Sequence, residues 1–144
     1  MTTTEQDAFS TALLDFLRAT RRMRGRFGEE GQLSLSQYHL LEPLISGERL
    51  ATCELALAAG VSAPTATRML TGLEREGLVE RVPCDADRRV VHVVLTDEGR
   101  ARVVAAGARG EARRAEIFAS LSAGERRAAA RLLERLAAAV DGLR

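Results

Sequence analysis

Lysine and tryptophan are both absent from the 144-residue chain. All 21 basic residues are therefore arginine, set against 20 acidic ones for a net charge of +1. So even a balance does not announce a polyanionic partner; any such affinity has to come from where the arginines stand. Arginine without lysine, in a chain rich in alanine and glycine, has the composition of a GC-rich bacterial coding sequence. Aromatic residues are 3% of the chain, which excludes the interleaved stacking platforms used on single-stranded bases and leaves Leu, Val and Ala to build the core. Two cysteines, Cys53 and Cys84, are too few for a disulfide framework. Neither they nor His39 and His92 stand at metal-ligand spacing, so no metal is expected. No stretch of about 18 apolar residues runs without a charge, which argues against a membrane span. Met1 to Ser10 lacks the basic start and apolar run of a secretory signal, so a cytoplasmic protein is expected. Paired carboxylates, a nucleophile with its base and a phosphate-binding loop are also missing; neither an enzyme nor a cofactor is expected.

What is present fits one compact domain. A chain of this length buries roughly 70% of the surface exposed when unfolded. At 46% hydrophobic and 28% charged, it is neither collagen-like nor disordered.

Four zones follow one another. From Glu5 to about Phe27, Phe9, Leu13, Phe16 and Leu17 recur at helical spacing. This helix ends in a basic burst, Arg18, Arg21, Arg22, Arg24 and Arg26, suited to the negative end of a helix dipole, and Gly25, Gly28 and Gly31 break it. A second helix is expected from about Leu35 to Ser46, with Ser34 and Gln37 at capping-box spacing and a kink at Pro43. The third zone, Leu50 to Leu95, opens with a short helix near Thr52, turns at Gly60, and continues in a helix from Ser62 to about Glu76 that Gly77 caps. The period then changes: Leu78 to Pro83 and Val90 to Leu95 read as strands around a polar tip, Cys84 to Arg89. The fourth zone, Thr96 to Arg144, is helical, capped at Thr96 and interrupted at Leu121 to Glu125, where Ser122 and Glu125 make a second capping box. No tandem repeat is visible.

Thr52 to Thr71 carries the signature of a helix-turn-helix. Ala56 is small where two helices would cross, Gly60 tolerates a left-handed turn, and Leu55, Val61, Ala66 and Met69 are spaced to lock the pair. On the second helix Ala66, Met69, Leu70 and Leu73 are expected inward, and Thr65, Arg68, Thr71, Gly72 and Arg75 outward. Its first turns hold no acid; Glu74, Glu76 and Glu80 lie at the far end. Ser62, Ala63, Pro64, Thr65, Thr67 and Arg68 are therefore the candidates for entering a major groove, with Arg68 suited to a guanine edge. The hairpin makes this a winged helix. Arg88 and Arg89 at its tip can reach a minor groove, with Asp87 positioning an arginine by a salt bridge. From Leu50 to Val90 there are five arginines and six acids, so placement matters more than bulk charge.

The segments SQYHLLEPL, ELALAAGVSAPTATRMLTGLEREGLVER, DADRRVVHVVLTDEGR and LSAGERRAAARLLERLA resemble those of MarR-family transcriptional regulators across nearly the whole chain. The resemblance implies a mainly α (α+β) fold: a winged helix-turn-helix at residues 34–95, flanked by dimerisation helices in 1–33 and 96–144. It further implies a homodimer on double-stranded DNA at a palindromic operator, a repressor that a ligand releases. Gly72 departs from the pattern, standing where relatives often carry a second basic contact. By the same resemblance the end of the first helix borders a ligand cleft. Arg18 and Arg22, with Tyr38 on the next helix, are the candidates there for a small anionic or phenolic effector. Dimerisation has independent support: Leu13, Phe16 and Leu17, with Leu132, Leu133, Leu136 and Val140, form stripes too long for a small wing domain to cover. Packing of the first helix on the last within one chain is the alternative. Cys53 and Cys84 are expected to be inert, the first semi-buried and the second part exposed. A winged helix used only for protein contact, without DNA binding, is the other functional reading; it predicts an apolar or acidic face, against the set Thr65, Arg68 and Arg89.

Overall fold

The computed structural model describes residues 3–25 and 31–143. Helix α1 runs Thr3–Gly25, starting two residues before the expected Glu5. Its expected end at Phe27, together with Arg26, Gly28 and the side chain of Arg24, lies outside the described residues. Along α1 the apolar side chains are uncovered: Phe9, Leu14, Phe16 and Leu17 are each about half exposed.

Helix α2, Leu35–Leu41, begins at the capping box foreseen at Ser34. The Gln37 N–H donates to Ser34 Oγ at 3.1 Å, and the Ser34 N–H donates to Gln37 Oε1 at 2.8 Å. The helix expected to reach Ser46 stops at Leu41 and tightens into a 3-10 turn over Glu42–Ser46. Pro43 explains this change: it lacks the N–H that would continue the α ladder, and its ring crowds the preceding turn.

A two-residue strand that sequence periodicity did not reveal, β1 (Leu50–Ala51), precedes α3 (Thr52–Ala59). Gly60 takes the left-handed conformation, φ 65°, ψ 33°, and Val61 donates back to the Ala56 carbonyl at 3.1 Å. That geometry is open to glycine without a Cβ penalty, and it turns the chain into α4 (Ala63–Arg75). At the far end Gly77, φ 73°, lets Leu78 donate to the Leu73 carbonyl at 2.9 Å, a Schellman closure. Strands β2 (Val79–Pro83) and β3 (Val91–Leu95) follow, then α5 (Asp97–Ala119) and α6 (Ala123–Asp141). The sheet is antiparallel in the order β1-β3-β2, with Leu50 opposite Val93 and Arg81 also opposite Val93 from the other side. The third strand gives β3 a partner on both edges.

The chain divides into two compact units, ending and resuming at Ala106 and Gly107. The first holds the core. Leu40, Leu41 and Leu44 meet Leu55 of α3, Leu70 and Leu73 of α4, Val79 and Val93 of the sheet, and Val103 of α5, all at 2% exposure or less. Each such side chain contributes about 1.5–3 kcal/mol by leaving water. The start of α5 is tied in closely. Thr96 Oγ1 donates to the Gly77 carbonyl at 2.7 Å and accepts from Gly99 N–H at 3.0 Å, while Thr96 N–H donates to the Leu78 carbonyl at 3.1 Å.

The second unit comprises the rest of α5 and α6. Ser122 and Glu125 form the expected capping box, with Ser122 N–H donating to Glu125 Oε2 at 2.7 Å. Arg126 closes the end of α5: its guanidinium lies 3.9 Å from the Phe118 ring centre, and Nε donates to the Phe118 carbonyl at 2.8 Å. No residue of α6 is buried; Leu132 and Leu133 are about half exposed and Val140 is 66% exposed.

Candidate nucleic-acid interface

The interface is built on α4 and the β2–β3 wing. Ser62 caps α4 in extended geometry, φ −70°, ψ 154°; its Oγ accepts from Thr65 N–H at 3.3 Å and donates to Thr65 Oγ1 at 2.8 Å. Pro64 occupies the first turn, where a missing N–H costs nothing, and that turn carries no acid. The buried face is Ala66, Leu70 and Leu73; Met69, read as inward, is half-buried against the same core. Opposite it, Ser62, Ala63, Pro64, Thr67 and Arg68 are exposed and Thr65 is half-buried. Thr67 Oγ1 donates to the Ala63 carbonyl at 3.0 Å and keeps its acceptor lone pairs. Arg68 makes no hydrogen bond or ion pair among the described residues, leaving its whole guanidinium fork available. Gly72 is half-buried on α4, and a Cβ built there would meet nothing within 4 Å.

The wing tip has its own order. Cys84 N–H donates to the Val90 carbonyl at 2.8 Å and Val90 N–H to the Asp87 carbonyl at 2.9 Å. Asp87 Oδ1 accepts from the Arg89 N–H at 3.0 Å and from Arg89 Nε at 3.3 Å. The first of these is an aspartate turning its own backbone two residues on; the second is the salt bridge anticipated for Asp87. Arg89 remains 92% exposed, so the contact orients a solvated arginine and adds little stability. Arg88 is exposed beside it.

The three effector candidates are not joined. Arg18 pairs with Asp15 at 3.2 Å, one turn back on α1, and both are about two-thirds exposed. Arg22 is exposed. Tyr38 is half-buried against the core, its ring centre 5.4 Å from that of His39. Among the described residues no hydrogen bond or ion pair links either arginine to Tyr38. Cys53 is exposed rather than semi-buried: it stands in the first turn of α3, ahead of the buried pair Leu55 and Ala56; Cys84 is half-buried. The described residues contain no group of His, Cys, Asp and Glu that could hold a metal. No described helix is long and apolar enough to cross a membrane.

Sequence reading missed a second group. Arg81 of β2 pairs with Glu74 of α4, and its Nη2 donates to Thr71 Oγ1 at 3.2 Å. The residues lie on different elements, seven and ten positions apart, so no local pattern could disclose them.

A helix-turn-helix followed by a β-hairpin wing defines the class, a winged-helix protein. A family model described as the MarR family matches residues 33–91. The chain is 32% identical over 104 residues to YdgJ of Bacillus subtilis, described as an uncharacterized HTH-type transcriptional regulator. The match takes in 72% of this chain, which spans 63% of the length of that relative. Among solved structures, the PcaV transcriptional regulator of Streptomyces coelicolor superposes with a TM-score of 0.79 at 25% identity, covering 93% of this chain and 98% of its own. FabT of Streptococcus pneumoniae, solved in complex with DNA, gives a TM-score of 0.76 at 22% identity, covering 99% and 100%.

Proposed function

We propose that the protein is a sequence-specific transcriptional repressor that binds double-stranded DNA as a homodimer at an inverted-repeat operator. The observation that carries this is the exposed, acid-free start of α4, with Arg68 unpaired, next to a wing whose tip presents Arg88 and Arg89. In this reading Ser62 to Thr67 set α4 in the major groove, Arg68 reads a base edge, and Arg89, oriented by Asp87, enters the minor groove. Residues 34–95 are the DNA-binding part. Helices within 1–33 and 96–144, where most of the described large apolar side chains are exposed, make the dimer. An anionic or phenolic effector bound near Arg18, Arg22 and Tyr38 releases the operator, and the site of action is the cytoplasm.

Selection from a random-sequence duplex pool tests the reading. The expected result is an inverted repeat with half-site centres about 10 base pairs apart. Arg68→Ala is expected to cost about 1–3 kcal/mol and relax one base position per half-site, whereas Arg89→Ala weakens all sequences more evenly. Failure to enrich any sequence, with no gel shift on DNA upstream of its own gene, would leave the protein-interaction reading in its place.

A further inference from the structure

Arg81 is a basic residue beside α4 whose guanidinium is engaged. Its Nη1 pairs with the Glu74 carboxylate, its Nη2 donates to Thr71 Oγ1 at 3.2 Å, and Nη2 approaches the Thr67 carbonyl at 3.5 Å. That carbonyl already accepts from Thr71 Oγ1 at 2.9 Å. The Arg81 side chain is 27% exposed and that of Glu74 39%, so the pair is partly shielded from water. One guanidinium thus grips α4 along two turns, from Thr67 to Glu74. The grip begins at the residue preceding Arg68. It comes from β2, the first strand of the hairpin that ends in Arg88 and Arg89 and is locked to β3 with Arg81 opposite Val93.

From this geometry we infer that Arg81 is a positioning residue for DNA reading, fixing the orientation of α4 relative to the wing without touching DNA itself. The inference rests on the proposed DNA-binding function. Counted by charge alone, Arg81 would pass for a phosphate contact. Its charge, however, is matched by Glu74 and its planar fork is spent on α4. Two reading elements of a rigid module have to meet their grooves together, so a loosened angle between them costs affinity and discrimination at once.

The test uses the duplex that the wild-type protein itself enriches from a random pool, with Arg81→Met and Glu74→Gln. Arg81→Met keeps the apolar stem and removes the fork; Glu74→Gln removes the charge partner from the other side. Each is expected to weaken binding about tenfold, the scale of one charged hydrogen bond. Each is also expected to reduce discrimination at the base that Arg68 reads. The salt dependence stays as in the wild type, and the double variant is little weaker than the poorer single one. A phosphate-contacting Arg81 gives the opposite pattern: Arg81→Met lowers the salt slope by about 0.9, while Glu74→Gln tightens binding. That result overturns the inference, as does wild-type discrimination in both variants, or a uniform loss that tracks thermal stability alone. If the wild type enriches nothing, the DNA-binding reading fails first and the inference falls with it. If the wild type enriches an operator and the variants depart from the expected pattern, the inference alone fails.

Discussion

Gly99→Ala places a methyl group where the backbone leaves no room. A Cβ on Gly99 would sit 1.8 Å from the Leu78 carbonyl oxygen and 2.8 Å from its carbon. Relief requires the first turn of α5 to move away from the start of β2 by about 1.5 Å, since non-bonded atoms settle near 3.5 Å. That movement strains the bonds that converge there: Thr96 N–H to the Leu78 carbonyl, Thr96 Oγ1 to the Gly77 carbonyl, and Gly99 N–H to Thr96 Oγ1. Losing two of them costs about 2 kcal/mol, and the overpacking that remains costs about as much again. The helix propensity of alanine returns about 1 kcal/mol. The expected net loss is about 3 kcal/mol, or a fall in Tm of about 10 °C for a chain of this size. Urea and thermal unfolding followed by circular dichroism, at one fixed protein concentration, measure it. A variant with an unchanged midpoint and m-value would refute the packing argument. Because Gly77 and Leu78 donate back to the Glu74 and Leu73 carbonyls at the end of α4, the same substitution is expected to loosen the C-terminal end of that helix.

Gly72→Ala is the contrasting case: nothing lies within 4 Å of a Cβ there, so the substitution is expected to stabilise by about 1 kcal/mol, read as a raised urea midpoint. Hydrogen bonding to the Ser122 side chain, and then to its backbone N–H, holds the Glu125 carboxyl below its ordinary 4.5. The stabilisation of the α6 start is therefore complete above that ordinary value and is lost as pH falls through the lowered one. Helicity followed on acid titration should show this, and Glu125→Gln, which caps without titrating, should flatten it. On the proposed function, the half-exposed apolar residues of α1 and α6 are expected to pair two copies at micromolar concentration; sedimentation showing a monomer that binds its operator tightly would contradict this.

The local elements were legible because their signals are local. Ser34 with Gln37 and Ser122 with Glu125 have the hydroxyl-to-acceptor spacing of i and i+3 that starts a helix, and both boxes are present. Gly60 and Gly77 announced left-handed turns, and both have positive φ. The apolar stripe of α4 followed from a 3.6-residue period, which left Thr67 and Arg68 on the open face. Pro43 marked a disturbance, but whether the chain would kink or tighten into a 3-10 turn depended on packing of Leu40, Leu41 and Leu44 into one core. Strand β1 exists only because β3 presents an edge to Leu50 and Ala51; two residues are too short to show a period of their own. The Arg81 network and the close seat of Gly99 on Leu78 join residues from separate elements, and only the folded chain brings such groups within bonding distance. Sequence periodicity determined which faces are apolar and which are open, since each side chain's direction follows from its own helix or strand. The tertiary structure decided which polar groups are already engaged, because that depends on distances between elements that no local repeat encodes.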